Sequence, residues 1–161
     1  MITNELVGPP ARFTSYPAPQ LALEQGFRIT AMKRMNADRE RVFNAFTVPE
    51  YIETWFSAPG ALAGRTVVWS RDNFLSISYS CEQSAQSRIL CSYKVCRRSK
   101  LLFTWTRDNA FAGSSSLVKV RLEEEFGRTA VHVIHFGLEL SNRLWHQVLW
   151  ESSLEKMSKL F

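Results

Sequence analysis

The sequence predicts an α+β fold in which a curved antiparallel sheet of about seven strands wraps a long C-terminal helix, with two short helices after the first strand. Three observations predict it. Two runs, Leu117–Phe126 and Thr129–Phe136, alternate with period two, so Val118, Val120 and Leu122 share one face while Lys119, Arg121 and Glu123 share the other. From Asn142 onward the period changes, and His146, Trp150, Leu154, Met157 and Phe161 follow helical spacing. Between them and the first strand lie four further alternating runs, a spacing that indicates a meander of hairpins. A sheet closing onto a helix in this way is a cup with a lid, a shape suited to holding an apolar molecule.

Residues 1–24 stand apart. Gly8-Pro9-Pro10, Pro17 and Pro19 deny this stretch regular hydrogen bonding, so it reads as a flexible or loosely docked arm before a domain spanning 25–161. The first strand, Gly26 to Met35, leads to Asn36, a helix-cap residue type, with Asp38 and Glu40 placed to meet the positive end of a helix dipole. Val42, Phe43 and Phe46 form the apolar stripe of that helix, which ends near Val48. Pro49 opens a second short helix to Trp55, where its missing amide costs nothing. The meander follows as Arg65–Ser70, Asn73–Glu82, Gln86–Arg97 and Lys100–Asp108, joined at Arg71-Asp72, Gln83-Ser84 and Arg98-Ser99.

Composition narrows the function classes. The chain has 161 residues, 45% of them hydrophobic, enough for one domain with a substantial core. Its net charge of +5 is spread along the chain, and the acidic run Glu123-Glu124-Glu125 interrupts any basic stripe. That argues against nucleic-acid binding, and the Arg97-Arg98-Ser99-Lys100 cluster reads as a solvated hairpin end. No apolar run approaches the ~20 residues of a membrane span. Cys91 and Cys96 fall on opposite faces of one strand roughly 16 Å apart, beyond disulfide reach, and the three cysteines suit a reduced, cytoplasmic setting.

Catalytic and metal signals are weak. His132 and His135 point to opposite faces of their strand, and a set built from His135, His146 and Cys81 lacks ligand spacing, so neither metal nor cofactor is expected. No nucleophile elbow, phosphate loop or zincin helix occurs. The aromatics carry more. Trp55, Trp69, Tyr79, Tyr93, Phe103, Trp105 and Trp150 read as inward-facing, which suits a core or the wall of a cavity. Polar Tyr79, Tyr93, His135 and His146 among them favour a cavity, because a few convergent polar groups in an apolar pocket describe a small-molecule site. For His135 a tyrosine hydroxyl partner within a filled core is an equal alternative. The expected lining is Trp69, Tyr79, Tyr93, Phe103, Trp105, Val133, His135, His146 and Trp150.

Several stretches resemble one known family. Ala37 to Glu50, ending in Thr47-Val48-Pro49-Glu50 and followed by Trp55-Phe56, is similar to the first-helix signature of the activator of heat-shock-protein-90 ATPase homologues, within the START-like (SRPBCC) superfamily. Lys100-Leu101-Leu102-Phe103-Thr104-Trp105 resembles that family's Arg-Leu-x-Phe-x-Trp strand. Thr129-x-Val131-x-Val133-x-His135-x-Gly137 resembles its penultimate strand, and Leu149-Trp150 with Leu154 its closing helix. Arg97-Arg98 stands where the family commonly has Pro-Pro, and Leu149 where it has Gly. The resemblance implies a helix-grip fold with a ligand cavity. It implies binding of a small hydrophobic or amphipathic ligand, or alternatively a co-chaperone-like interaction module using Arg97 and Arg98 or Glu123 to Glu125. A superfamily enzyme using His135 as acid or base is a third reading. A monomer or homodimer suits any of them.

Overall fold

The computed structural model describes residues 26–82, 84–108 and 115–161; the expected arm over 1–24 lies outside the described residues. The elements run β1 (Phe27–Met35), α1 (Arg39–Thr47), α2 (Pro49–Trp55), β2 (Ala61–Arg71), β3 (Phe74–Cys81), β4 (Ser84–Arg97), β5 (Lys100–Arg107), β6 (Ser115–Glu125), β7 (Arg128–Leu138) and α3 (Leu140–Ser158). All strands are antiparallel in one seven-stranded sheet ordered β1-β7-β6-β5-β4-β3-β2. The meander therefore runs from β2 to β7, and β1 returns to pair with β7. The sheet curls around α3, with α2 packed against β2 and α1 against β6 and β7.

Local chemistry accounts for the boundaries. Asp38, not Asn36, caps α1: its carboxylate accepts the Arg41 amide at 2.9 Å, so the first turn starts at Arg39. Pro49 sits in the first turn of α2 as expected. The β6–β7 hairpin differs from its expected form. Glu125 pairs with Arg128, and Phe126 and Gly127 form the turn with φ of 52° and 76°. Positive φ at both central residues is the twist a tight hairpin needs, and Phe126 is left 96% exposed rather than ending the strand.

Alternation delivers the core. Val118, Val120 and Leu122 from β6, with Val131 and Val133 from β7, are buried against Leu149, Trp150, Leu154 and Met157 of α3 and Val42 and Phe46 of α1. The helices also tie in through polar contacts. Trp55 donates its indole N–H to the Ala45 carbonyl at 2.7 Å, and Ser153 of α3 accepts the Ser57 amide at 3.0 Å. Glu53 of α2 accepts the Val68 amide of β2 at 2.9 Å, and Gln147 of α3 donates to the Thr30 carbonyl of β1 at 3.0 Å. Cys81, Cys91 and Cys96 are free thiols.

Candidate functional site

Most of the expected lining residues meet in the interior between sheet, α2 and α3. Tyr93, Phe103, Trp105 and Trp150 wall a small cavity together with Phe46, Ile52, Trp55 and Phe56, which the helices contribute. It leaves about 10 Å³ in which the centre of a water molecule can move, room for roughly one water. Among the described residues, that cavity is thus nearly filled by the side chains around it. Tyr79 is buried against Phe56, ring centres 5.4 Å apart. Val133 is fully buried but pairs with Val120 and Ala31, away from that cavity.

Trp69 is a correction. It lies on the outer face of the sheet, 53% exposed, edge-on to Phe74 at 6.4 Å. The inward residue of this part of β2 is Val68, paired with Ile77. The sequence misleads here because Val67 and Trp69 make the outward phase the more apolar one, and an edge strand buries little on either phase.

His135 and His146 define the polar part of the interior. The indole N–H of Trp150 donates to His135 Nδ1 at 3.1 Å, and an indole only donates, so that nitrogen is the acceptor. The proton therefore sits on Nε2 and points to Ser116 Oγ at 2.7 Å, whose hydroxyl donates on to the Trp105 carbonyl at 3.2 Å. The tyrosine hydroxyl weighed as one alternative for His135 is not its partner; Trp150 and Ser116 are. Burial, and then the neighbouring His146, hold His135 well below the usual imidazole range, so it is neutral. With both nitrogens engaged and no exposure, it has no free face for acid–base work on a substrate.

His146 differs. Its Nδ1 donates to the Asn142 carbonyl at 2.9 Å, one turn back along α3, which leaves Nε2 as an acceptor with no partner among the described residues. Burial lowers its pKa to about 4, with the Arg107 charge adding to the effect against the Asn142 bond. The ring lies 4.7 Å from His135 and 6.1 Å from Trp105, centre to centre. Trp105 has an orphan of its own: its indole N–H is buried and has no acceptor among the described residues. No set of three metal-ligating side chains occurs among the described residues.

Sequence reading missed Ser116 and Arg107. Period two places Arg107 on the inward phase of β5 after Phe103 and Trp105, a signal overlooked because a charge at a strand end normally reads as solvated. Its guanidinium lies 3.9 Å from the centre of the Trp145 ring, and its Nε is buried without a partner among the described residues. Ser116 became visible only through the β5–β6 register, which sets it opposite Trp105.

A curled sheet gripping a long C-terminal helix over an apolar interior with a small polar corner defines a helix-grip domain. The family described as "Activator of Hsp90 ATPase homolog 1-like protein" matches residues 36–161, and the chain belongs to it. Among solved structures, a protein from Chromobacterium violaceum is similar at TM-score 0.71 and 17% identity, covering 83% of this chain and 95% of that one. The AHSA1 protein from Silicibacter pomeroyi aligns at TM-score 0.67 and 17% identity, over 83% and 96%. CalU16 from Micromonospora echinospora aligns at 0.58 and 19%, over 82% and 74%. At these identities the likeness is one of fold. A comparison with curated proteins finds no match. Among the described residues no helix is long and apolar enough to cross a membrane.

Proposed function

We propose that the protein binds a small, largely apolar ligand between the sheet and α3, with a hydroxyl-type group meeting the Trp105–His146 corner. The observation that carries this reading is the pair of orphaned polar atoms, Trp105 Nε1 and His146 Nε2. A core assembled for stability alone leaves few such groups, because each buried unpaired donor or acceptor costs about 1–3 kcal/mol. One of these atoms donates and the other accepts. A hydroxyl can do the reverse of both, taking the indole hydrogen and giving its own to the imidazole. Family membership supports ligand binding or a co-chaperone-like role in general terms. The near-filled cavity sets a condition: a ligand larger than water enters only as α2 or α3 moves outward.

Calorimetric titration with 2-naphthol and with naphthalene tests the reading. The expected result is saturable, one-to-one binding of 2-naphthol, about tenfold tighter than naphthalene for one good hydrogen bond. Trp105→Phe should narrow that gap. If neither compound saturates, a trapped water is the occupant and the interior is core only.

A second reading, the surface interaction module, is favoured by that filled interior together with an exposed stripe on α3. Leu140, Leu144 and Val148 recur at four-residue spacing and stand 64%, 74% and 40% exposed. The basic turn proposed for that role is partly engaged, Arg98 lying 3.7 Å from Glu40.

A further inference from the structure

Arg107 is a cation in an unusual place. It lies partly buried on the same phase of β5 as Phe103 and Trp105, sets its guanidinium over the Trp145 ring, and keeps a buried Nε with no hydrogen-bond partner among the described residues. Among the described residues no carboxylate pairs with it: the neighbouring Asp108 is turned away, held by Arg88 through two contacts of 2.7 and 3.1 Å. Positions 83–85 and 109–114 contain neither Asp nor Glu, so the only acids outside the described residues are Glu5 and Glu24.

What surrounds this cation is polar and suited to an anion. Tyr79 and Ser87 are buried and face each other across β3 and β4, and Ile89, two residues on from Ser87, faces Arg107 on β5. Burial raises the Tyr79 pKa, so it remains a neutral O–H donor, while the Arg107 charge works in the opposite sense. His146, also close enough to feel that charge, turns its orphaned Nε2 to the same interior. A guanidinium desolvated on one face by an indole, with hydroxyl donors beside it, offers charge-assisted hydrogen bonds to a planar anion.

We infer that Arg107, with Tyr79 and Ser87, anchors the carboxylate of an amphipathic ligand, so the ligand class is a hydroxylated aromatic or aliphatic carboxylic acid. The hydroxyl meets Trp105 and His146, and the carboxylate meets Arg107. This inference rests on the ligand reading above and adds the charge of the ligand to it.

The test compares 6-hydroxy-2-naphthoate with its methyl ester, which removes the charge and adds one methyl group, by calorimetric titration at pH 7. The expected result is at least a tenfold preference for the acid. Arg107→Gln should abolish the preference by weakening the acid alone, and Arg107→Lys should keep part of it. The ester's unchanged affinity then shows that the variant is folded. Equal affinity of acid and ester, or a preference that survives in Arg107→Gln, overturns the anchor while leaving ligand binding standing. Binding of 2-naphthol without binding of the hydroxynaphthoate does the same. Failure of all three compounds removes the container and its anchor together.

Discussion

Acid should destabilise this protein before any carboxylate titrates, through its two buried histidines. In the unfolded chain an imidazole has a pKa of about 6.5. In the fold that of His146 is lowered to about 4, and His135 is held well below its usual range. A depressed histidine pKa means that the unfolded state binds the proton first. The stability contributed by the neutral ring is therefore complete above pH ~6.5 and drains as pH falls from there toward the folded value. For His146 the slope is about 1.4 kcal/mol per unit, or roughly 2 kcal/mol lost between pH 6.5 and 5. His135 adds a loss of the same sign, because a proton on its Nδ1 would face the indole N–H of Trp150. Urea unfolding followed by tryptophan emission at pH 7 and pH 5 measures the sum. His146→Leu should cost no more than about 1 kcal/mol at pH 7, for the Nδ1 bond to the Asn142 carbonyl, and should shrink the pH slope by about one proton. A parent whose unfolding free energy is flat between pH 7 and 5, or a variant that keeps the full slope, would refute the reasoning.

Leu154→Ala, at 2% exposure on the buried face of α3, should cost about 2–5 kcal/mol in chemical denaturation. A near-neutral value would mean that α3 does not close the sheet. Val133→Trp should destabilise, by about 1–3 kcal/mol or more, because its site between Val120 and Ala31 holds no spare volume; unchanged stability would reveal hidden space there. Trp69→Ser, on the outer face, should shift stability by less than about 0.5 kcal/mol, and a large loss would show that the Trp69–Phe74 pair is structural. Truncation before Gln25 should leave the melting temperature within a few degrees, and a collapse in melting would make the proline-rich stretch part of the domain.

The sheet was legible in the sequence because its strands alternate cleanly. Leu117 to Leu122 and Thr129 to His135 carry one apolar phase each, and a register slip would expose it. The helices were legible from Pro49 and the α3 stripe, with errors only at ends such as Asn36, where two capping residue types stand two positions apart. The site was less legible. Period two tells which face a side chain takes, and correctly turned Tyr79, Phe103, Trp105 and His135 inward. It fails where the outward phase is the more apolar one, as at Val67 and Trp69. It says nothing of which strands become neighbours, so the Ser116 partner of His135 and the helical side of the cavity, Phe46, Ile52 and Phe56, were out of reach. Arg107 was within reach by spacing but hidden by the habit of leaving charges in water.

The two hydrogen bonds from Glu53 to the Val68 amide and from Gln147 to the Thr30 carbonyl fall on the two border strands of the sheet, β2 and β1. Each occupies a backbone group that a foreign strand would otherwise use for pairing. A sheet left open on both sides can grow by recruiting copies of itself. Here each helix that closes the cup also occupies one pairing position on a border strand, so the packing that shapes the interior works against edge-to-edge pairing at those two points.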